Sequence, residues 1–297
     1  MIIPRQVSVE LTNACNGKCT MCPNRLKTRP VTHIDVDLYT KIIADVRHLG
    51  IFTREQSFGL CGVGEPLLHP DFEMLIRLTY AMGVPYGIGT NGSLFDRYMA
   101  LLLECPPEEL CFSIDGTSQA AYETLRPGLS LAHVIKCAQD YLVALRTSLH
   151  IPFKTWIQMV VTKDNVHEVN DFIRAWLPYT EPVGARVFLK CVCPWPKYPV
   201  NTLYPSPVPA VDPELVGKIV MAGFDPPITF RTSCGLFEGY LGILSDGSYV
   251  PCCSPTMDYW GLGNAADMSI EQVFNSEAYN KLRATPKEEI PFCAECT

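Results

Sequence analysis

Three cysteines near the start of the chain have the spacing of metal ligands. Cys15, Cys19 and Cys22 form the array C-x3-C-x2-C within the stretch LTNACNGKCTMCPN. Zinc prefers a fourth cysteine or histidine close by, and the nearest histidine is His33. A cubane 4Fe-4S cluster held by three thiolates instead keeps one iron open for a ligand that the protein does not supply.

A second group of thiols lies in the last quarter of the chain. Two of its cysteines flank Gly247 in the pattern C-x12-G-x4-C, and two more follow as C-x2-C. Four thiols suit zinc and a closed 4Fe-4S cluster equally on ligand count. The four candidate ligands are Cys234, Cys252, Cys293 and Cys296.

Cys105, Cys111 and Cys137 lie singly in apolar contexts and are expected to be packing residues. Cys253 adjoins Cys252 and would ligate the same cluster only with strain. Packing is also favoured over ligation for Cys191 and Cys193. A role as a ligand or as an active-site thiol remains the alternative for these two residues. The N-terminus MIIPRQVSVE lacks the pattern of a signal peptide. We therefore expect a cytoplasmic, reducing location, in which the 14 cysteines persist as thiols.

Composition excludes two classes of partner. The chain has 297 residues, a net charge of -7 and 47% hydrophobic residues. No apolar run approaches the roughly 18 residues of a membrane helix, so no membrane association is expected. The acidic balance without a Lys/Arg block argues against nucleic acid. A monomer is the expected state.

The elements that must position these thiols alternate along residues 6–191. Six β-like runs, from QVSVELT to ARVFLKC, are separated by helical patterns. This alternation predicts an α/β fold with a parallel sheet, in which chemistry gathers at the carboxyl ends of strands. Unusual stretches fall at four of those ends: the cysteine loop, CGVGEP (61–66), TNG (90–92) and SIDG (113–116).

The composition of the chain changes after residue 191. Seven prolines in the 23 residues from Cys191 exclude a long helix or a central strand. Residues 192–230 are thus predicted to be a linker with one short helix near PELVGKIVMAG. Residues 231–297 contain a predicted hairpin, LGILSDGSYVPC, and a helical run, SIEQVFNSEAYNKLRA. This segment is too small for a core of its own, so a bound metal is expected to stabilise it.

The ordered set CNGKCTMC, GVGEP, TNG and SIDG resembles the radical S-adenosylmethionine (SAM) enzymes over nearly the whole chain. The resemblance implies a partial (β/α)6 TIM-like barrel over residues 1–191. It also implies that SAM binds the open iron and that an electron from the cluster cleaves its sulfonium. The resulting 5'-deoxyadenosyl radical takes a hydrogen atom from a C–H bond that no base can deprotonate.

The same resemblance assigns site residues. Cys15, Cys19 and Cys22 become the cluster ligands, and the SAM ammonium group is received by GVGEP, which carries Val63 as an insertion relative to the plainest motif. Asp115 faces SAM or the substrate, and Met21 stands where many members carry an aromatic residue. Arg126 and Gln158 are weaker candidates, a solvated arginine and a ladder-edge amide being the alternatives. The implied cofactor-binding residues are Gly62, Gly64, Glu65, Asn91, Ser113, Arg126 and Gln158.

The C-terminal thiols resemble the twitch domain, the shortened form of the SPASM extension. The resemblance implies one auxiliary 4Fe-4S cluster with four cysteine ligands. Thr297 follows Cys296 directly, so the cysteines of a second auxiliary cluster are not expected. A closed cluster suits electron transfer.

A radical generator and a one-electron acceptor together favour oxidation. The chain resembles the twitch-type dehydrogenases that convert a secondary alcohol of an aminocyclitol or sugar to a ketone, with flavodoxin or ferredoxin as electron donor. Arg186 is the catalytic candidate from the fifth and sixth strands, with Lys154 and Lys190 beside it and a surface cation as the alternative for each. The aromatic residues Trp195, Tyr198 and Tyr204 are candidates for a sugar-sized pocket.

Other functions remain open at this stage. Peptide modification, by formylglycine formation, thioether crosslinking or epimerisation, is the main alternative. A redox-neutral rearrangement or dehydration is the next. A non-enzymatic iron-sulfur or zinc module would leave GVGEP and SIDG without a purpose.

The metal content separates the enzyme from the binding module. Reconstituted protein is expected to hold about eight iron atoms per chain, four for each cubane, and to cleave SAM on reduction. One or two zinc atoms per chain, without SAM cleavage, would contradict the enzyme interpretation.

Overall fold

The computed structural model describes residues 2–192, 209–222, 239–252, 261–290 and 293. Within them the strands are β1 (Gln6–Val9), β2 (Phe58–Leu60), β3 (Tyr86–Thr90), β4 (Glu109–Ser113), β5 (Lys154–Val161), β6 (Arg186–Cys191), β7 (Ile219–Ala222), β8 (Tyr240–Ile243) and β9 (Tyr249–Val250). The α-helices are α1 (Val36–Leu49), α2 (Phe72–Ala81), α3 (Phe95–Glu104), α4 (Gln119–Leu125), α5 (Leu131–Leu145), α6 (Val169–Thr180), α7 (Pro213–Val216), α8 (Ile270–Phe274) and α9 (Glu277–Ala284). None of these helices is both long and apolar enough to cross a membrane.

The chain divides into two compact units. The first comprises Met1–Asn16, Pro23–Ile88 and Thr229–Thr297, and the second comprises Gly17–Cys22 and Gly89–Ile228. Neither unit is continuous in sequence, because the second half of the cysteine loop belongs with the later strands.

In the first unit, β1 lies at the centre of the strand order β3-β2-β1-β8-β9. β1 is parallel to β2 on one side and to β8 on the other, while β9 returns antiparallel to β8. Helix α1 begins at the N-cap Asp35, whose side chain accepts from two backbone amides, and ends at Gly50 with φ 63°. A hydrogen bond of 2.6 Å between Tyr39 and Thr79 joins α1 to α2.

In the second unit, β4, β5, β6 and β7 lie side by side, and all pairs are parallel. Burial alternates along β5, so Ile157 and Met159 are buried while Trp156 and Gln158 are half-exposed. One face of β5 is therefore buried, and the other is half-exposed and carries both polar and apolar side chains.

The six predicted strands and the C-terminal hairpin are present, and Gly247 of the hairpin turn has φ 85°. The short helix expected near PELVGKIVMAG is present as α7. Beyond it, Ile219–Ala222 form a strand that was not expected, β7, which pairs with β6. The strand pairing overrides the local helical pattern, which no short-range signal could show.

The C-terminal helical run also differs from the expectation. It is two helices, because Ser276 caps a new helix, α9, through a bond to the Tyr279 amide. The predicted hairpin does not stand alone, since β8 extends the sheet of the first unit beside β1. The domain limits 1–191, 192–230 and 231–297 stay a prediction.

Candidate functional site

The GVGEP loop packs tightly against the start of the cysteine loop. The amide of Glu65 donates to the carbonyl of Ala14 at 2.8 Å. A Cβ atom placed on Gly64 would lie 2.1 Å from the Thr12 carbonyl oxygen, and one on Gly62 would lie 2.4 Å from the Glu10 side chain. Only glycine permits this close approach of the two loops. Steric exclusion of a larger side chain therefore explains why both positions are glycine.

A buried carboxylate, Glu10, fixes the same loops. Its two oxygens accept from Arg29 at 3.0 and 3.2 Å, from the Val63 amide at 3.2 Å and from the Ser245 hydroxyl at 2.9 Å. Glu10 is only 3% exposed. One side chain at the end of β1 therefore connects the GVGEP loop with the turn of the C-terminal hairpin.

Asn13 holds the segment that follows the cysteines. Its side chain donates to the Pro30 carbonyl at 2.8 Å and accepts from the Thr32 amide at 2.8 Å. Its carbonyl accepts from Lys27 at 2.5 Å. These bonds close the chain around the loop that carries Cys15, which is half-buried.

In the second unit, Cys19 belongs to a small packed cluster. Cys19, Met21 and Cys191 are each less than 10% exposed and pack with Leu125. The Thr20 amide donates to the Leu125 carbonyl at 2.9 Å, which ties this part of the loop to the end of α4. The position of Cys191 fits the packing interpretation, and Met21 lies within the same cluster.

Arg126 is buried beside a predicted cluster ligand. Its Nη1 lies 3.6 Å from the Sγ of Cys19, and its Nε donates to Asp115 at 2.5 Å. Burial alone would lower the pKa of Arg126, but the charges of Asp115 and Cys19 outweigh it, and the pKa is raised. Arg126 therefore stays a cation, and the solvated-arginine alternative is excluded by its 7% exposure.

Asp115 itself is completely buried. Its second oxygen accepts from the Val160 amide at 2.7 Å, and Asn165 donates to its carbonyl at 3.0 Å. With both oxygens engaged by the protein, Asp115 holds Arg126 in place. Direct contact of Asp115 with SAM or substrate stays a prediction.

The other candidates of the second unit take three different positions. Ser113 is level with Gln158 across β4 and β5, on the half-exposed face. Asn91 is 6% exposed, and its side chain accepts from the Ser93 amide at 2.9 Å. Arg186 is the first residue of β6 and donates to the Ile219 carbonyl at 3.4 Å, so it lies at the amino end of the strand. Cys191 lies five positions further along the chain, roughly 17 Å along a strand, and the position of Arg186 gives no support to a catalytic role.

The first unit contains a cavity over the face of β1. Three small residues from neighbouring strands, Gly59, Ser8 and Gly242, are aligned in register beneath it. Its walls include the half-buried Cys252 and the exposed Cys61. Gly62 and Val63 of the GVGEP loop line it as well. A predicted auxiliary-cluster ligand and the predicted SAM-binding loop thus share one cavity.

Several predicted residues lie outside the described part of the chain. Cys293 is described and half-buried. The residues not described are Cys193, Trp195, Tyr198, Tyr204, Cys234, Cys253 and Cys296.

Comparison with known proteins defines the class. The model of the radical SAM superfamily matches residues 9–175, more than half of the chain, and the model of the SPASM iron-sulfur cluster-binding domain matches residues 234–297. The protein therefore belongs to the radical SAM superfamily.

The particular relatives are diverse. The tungsten-containing aldehyde ferredoxin oxidoreductase cofactor-modifying protein of Pyrococcus furiosus is 27% identical over 315 residues, which cover 97% of this chain and 86% of the relative. SuiB of Streptococcus suis, solved with the precursor peptide SuiA, shares the fold with a TM-score of 0.71 at 15% identity, over 95% of this chain and 67% of SuiB. BtrN, solved with AdoMet and 2-DOIA, gives a TM-score of 0.56 at 15% identity, over 100% of this chain and 94% of BtrN.

These matches confirm the α/β fold, with a partial TIM-like barrel and a C-terminal SPASM domain. Membership of the superfamily implies a 4Fe-4S cluster and SAM, and the SPASM domain implies further iron-sulfur chemistry. The donors present fit an anionic thiolate cluster, since the cation Arg126 lies against Cys19. The glycines of GVGEP provide the close backbone approach that a bound cofactor needs.

Sequence reasoning missed the residues that support these loops. Glu10 and Asn13 lie directly before the cysteine array, and a charged residue at the end of a predicted buried strand was the one available signal. Cys61, which opens CGVGEP, was also passed over as a cavity residue. Arg29 had no signal, because its partner is 19 positions away in sequence.

Replacement of Arg126 tests its role in SAM binding. In the variant Arg126→Gln, we expect SAM affinity to fall by roughly tenfold or more, because a charged hydrogen bond contributes about 1.5–3 kcal/mol. The measurement is SAM binding by equilibrium dialysis on protein with its full iron content.

Loss of Arg126 alone leaves a buried charge on Asp115, so the double variant Asp115→Asn/Arg126→Gln is measured in parallel. Arg174→Gln is the control, since Arg174 is an exposed arginine of the same unit. If the double variant folds, keeps its iron and binds SAM as the parent does, Arg126 has no part in SAM binding.

Proposed function

We propose that this radical SAM enzyme is a dehydrogenase, which oxidises a secondary alcohol of a small polar substrate such as an aminocyclitol or sugar to a ketone. The observation that carries this proposal is the position of Cys252 of the SPASM segment beside Gly62 and Val63 of the GVGEP loop, around one small cavity of the first unit. At about 30 Å³ the cavity is too small for the substrate itself. Its walls place a predicted ligand of the electron acceptor next to the predicted SAM-binding loop, which suits a reaction that uses both.

The proposed SAM-binding roles follow the family motifs. Cys15, Cys19 and Cys22 would bind the cluster, and Gly62, Gly64 and Glu65 would receive the SAM ammonium group. Arg126 would bind an anionic oxygen of SAM. Asn91, Ser113 and Gln158 are the proposed polar contacts.

The reduced cluster and SAM, when bound, supply a 5'-deoxyadenosyl radical that takes a hydrogen atom from carbon. The buried packing of Cys19 and Arg126 keeps water from this side of the loop. The substrate then loses its hydroxyl proton and one electron, which leaves a C=O bond. The proposed thiolates Cys234, Cys252, Cys293 and Cys296 hold the acceptor of that electron, and an external donor such as flavodoxin or ferredoxin supplies the electron that cleaves SAM.

The base that takes the hydroxyl proton is not Arg186 in this proposal, because Arg186 lies at the amino end of β6. Lys154 is excluded for the same reason, as the first residue of β5. Lys190, next to the last residue of β6, is level with Val160 on β5 and half-exposed. Of Lys154, Arg186 and Lys190, Lys190 is the one that lies near the carboxyl end of a strand.

A second candidate function has one specific observation in its favour. The Pyrococcus furiosus relative covers nearly the whole of this chain and is named a cofactor-modifying protein. Modification of a cofactor would use the same SAM chemistry. The likeness to SuiB, at 15% identity, shows the fold alone, so peptide modification stays an alternative without added support.

Removal of one SPASM thiol separates the two proposed clusters. The variant Cys252→Ala is expected to keep SAM cleavage to 5'-deoxyadenosine within about twofold of the parent and to lose the auxiliary iron-sulfur signal, since Cys252 is not among the thiols proposed to bind the SAM cluster. The measurements are iron content, electron paramagnetic resonance of the dithionite-reduced protein, and oxidation of a panel of aminocyclitols and amino sugars.

Cys105→Ala is the matched control, because Cys105 is a buried cysteine at the end of α3. It should retain both signals. Full substrate oxidation by Cys252→Ala would refute the electron-acceptor role, and an unchanged auxiliary signal would remove Cys252 from the ligand set.

A further inference from the structure

Three metal-ligating side chains meet on the surface of α3 and α5, apart from the residues assigned to SAM. Asp96, His133 and Cys137 each offer one ligand atom, and these atoms lie within 4.8 Å of one another. The Nε2 of His133 lies 3.6 Å from the Sγ of Cys137 and 3.6 Å from an oxygen of Asp96.

The two distances from His133 match those between ligands of a tetrahedral metal ion, and the third pair, Cys137 and Asp96, lies within 4.8 Å. Zinc takes sulfur at about 2.3 Å and nitrogen or oxygen at about 2.0–2.2 Å, so adjacent ligand atoms stand roughly 3.3–3.6 Å apart. The carboxylate, imidazole and thiol are all established zinc donors. A thiolate and a carboxylate also balance the two charges of the ion.

The three side chains are fixed on packed helices. His133 and Cys137 are four residues apart on α5 and so lie on one face. Phe95, next to Asp96, packs on Tyr141 of α5 with ring centroids 5.3 Å apart. This contact sets α3 against α5, so the backbone positions of the three residues are held close together.

The thiol of Cys137 has a backbone partner beside the proposed ligands. Burial raises the pKa of Cys137, which favours the neutral thiol, and a hydrogen bond with the backbone of Asp96 opposes that shift. Metal binding would have to release the proton of the thiol. An N–H donor to sulfur is the usual outer partner of a ligating cysteine. Asp96 and His133 are 58% and 40% exposed, so an ion can enter from solvent.

We propose that Asp96, His133 and Cys137 form a zinc site, with water as the fourth ligand, that links α3 to α5. The site is separate from the iron-sulfur thiols. A bound zinc ion would stabilise the packing of α3 against α5. Helix α3 in turn contacts β4, since the rings of Phe95 in α3 and Phe112 in β4 are 4.5 Å apart.

Zinc and iron counted in the same sample test this proposal. Reconstituted holoenzyme is equilibrated with micromolar zinc sulfate, passed through a desalting column and measured by inductively coupled plasma mass spectrometry. We expect about one zinc per chain in the parent and about one tenth of that in His133→Ala and Cys137→Ser, as each loses one of three protein ligands. Iron should be the same in all three proteins.

His150→Ala is the control, because His150 is also beside an acidic residue, Glu108 at 3.6 Å, without a cysteine partner. It should bind zinc as the parent does. A thermal scan adds a second readout: zinc should raise the unfolding temperature of the parent and not that of His133→Ala.

A parent that binds less than about one tenth of a zinc per chain, or equal zinc in parent and His133→Ala, would overturn the proposal, since a site that needs all its ligands cannot give either result. Neither readout depends on SAM cleavage. Failure of the dehydrogenase proposal would therefore leave this test unaffected.

Discussion

A single buried carboxylate, Glu10, supports the segments on which the proposed chemistry depends. It ends β1, pairs with Arg29, accepts the amide of the GVGEP loop at Val63, and accepts from Ser245 in the turn of the C-terminal hairpin. A buried charge of this kind is stable only while all its partners remain, because losing one leaves an uncompensated charge. The order of the GVGEP loop and of the SPASM hairpin is thereby coupled through one residue.

The second unit depends on a comparable buried pair. Asp115 fixes Arg126, and Arg126 places a permanent cation against the Cys19 sulfur. The two units thus use the same physical device, a desolvated ion pair with its remaining hydrogen bonds satisfied. In the first unit the pair orders loops, and in the second it sets the charge beside a predicted cluster ligand.

The family and the cofactors that it implies could be predicted from the sequence, since cysteine spacing and the motifs at strand ends are local patterns. The roles of the individual residues in those motifs stay predictions. Helix and strand positions followed from periodicity for the same reason. The pairing of β8 with β1 and of β7 with β6 could not be predicted, because each depends on contacts between distant segments. The burial of Arg126 was missed for a similar reason: LRPG looks like a surface turn until its partner 11 residues earlier is placed beside it. Arg186 was chosen for its proximity in sequence to the end of the sixth strand, and the structure places it at the amino end of β6, because position along a strand decides which end a side chain occupies.

The central claim is that one cluster has an open iron for SAM and that the SPASM thiols hold a closed one. Electron-nuclear double resonance on the reduced protein, with SAM labelled with 15N at its amino group and 17O at its carboxylate, tests it most directly. The account predicts hyperfine coupling of both labels to one cluster, retained in Cys252→Ala and absent when Cys15, Cys19 and Cys22 are replaced by alanine. Coupling that survives the loss of these three cysteines, or none in the parent, would contradict it.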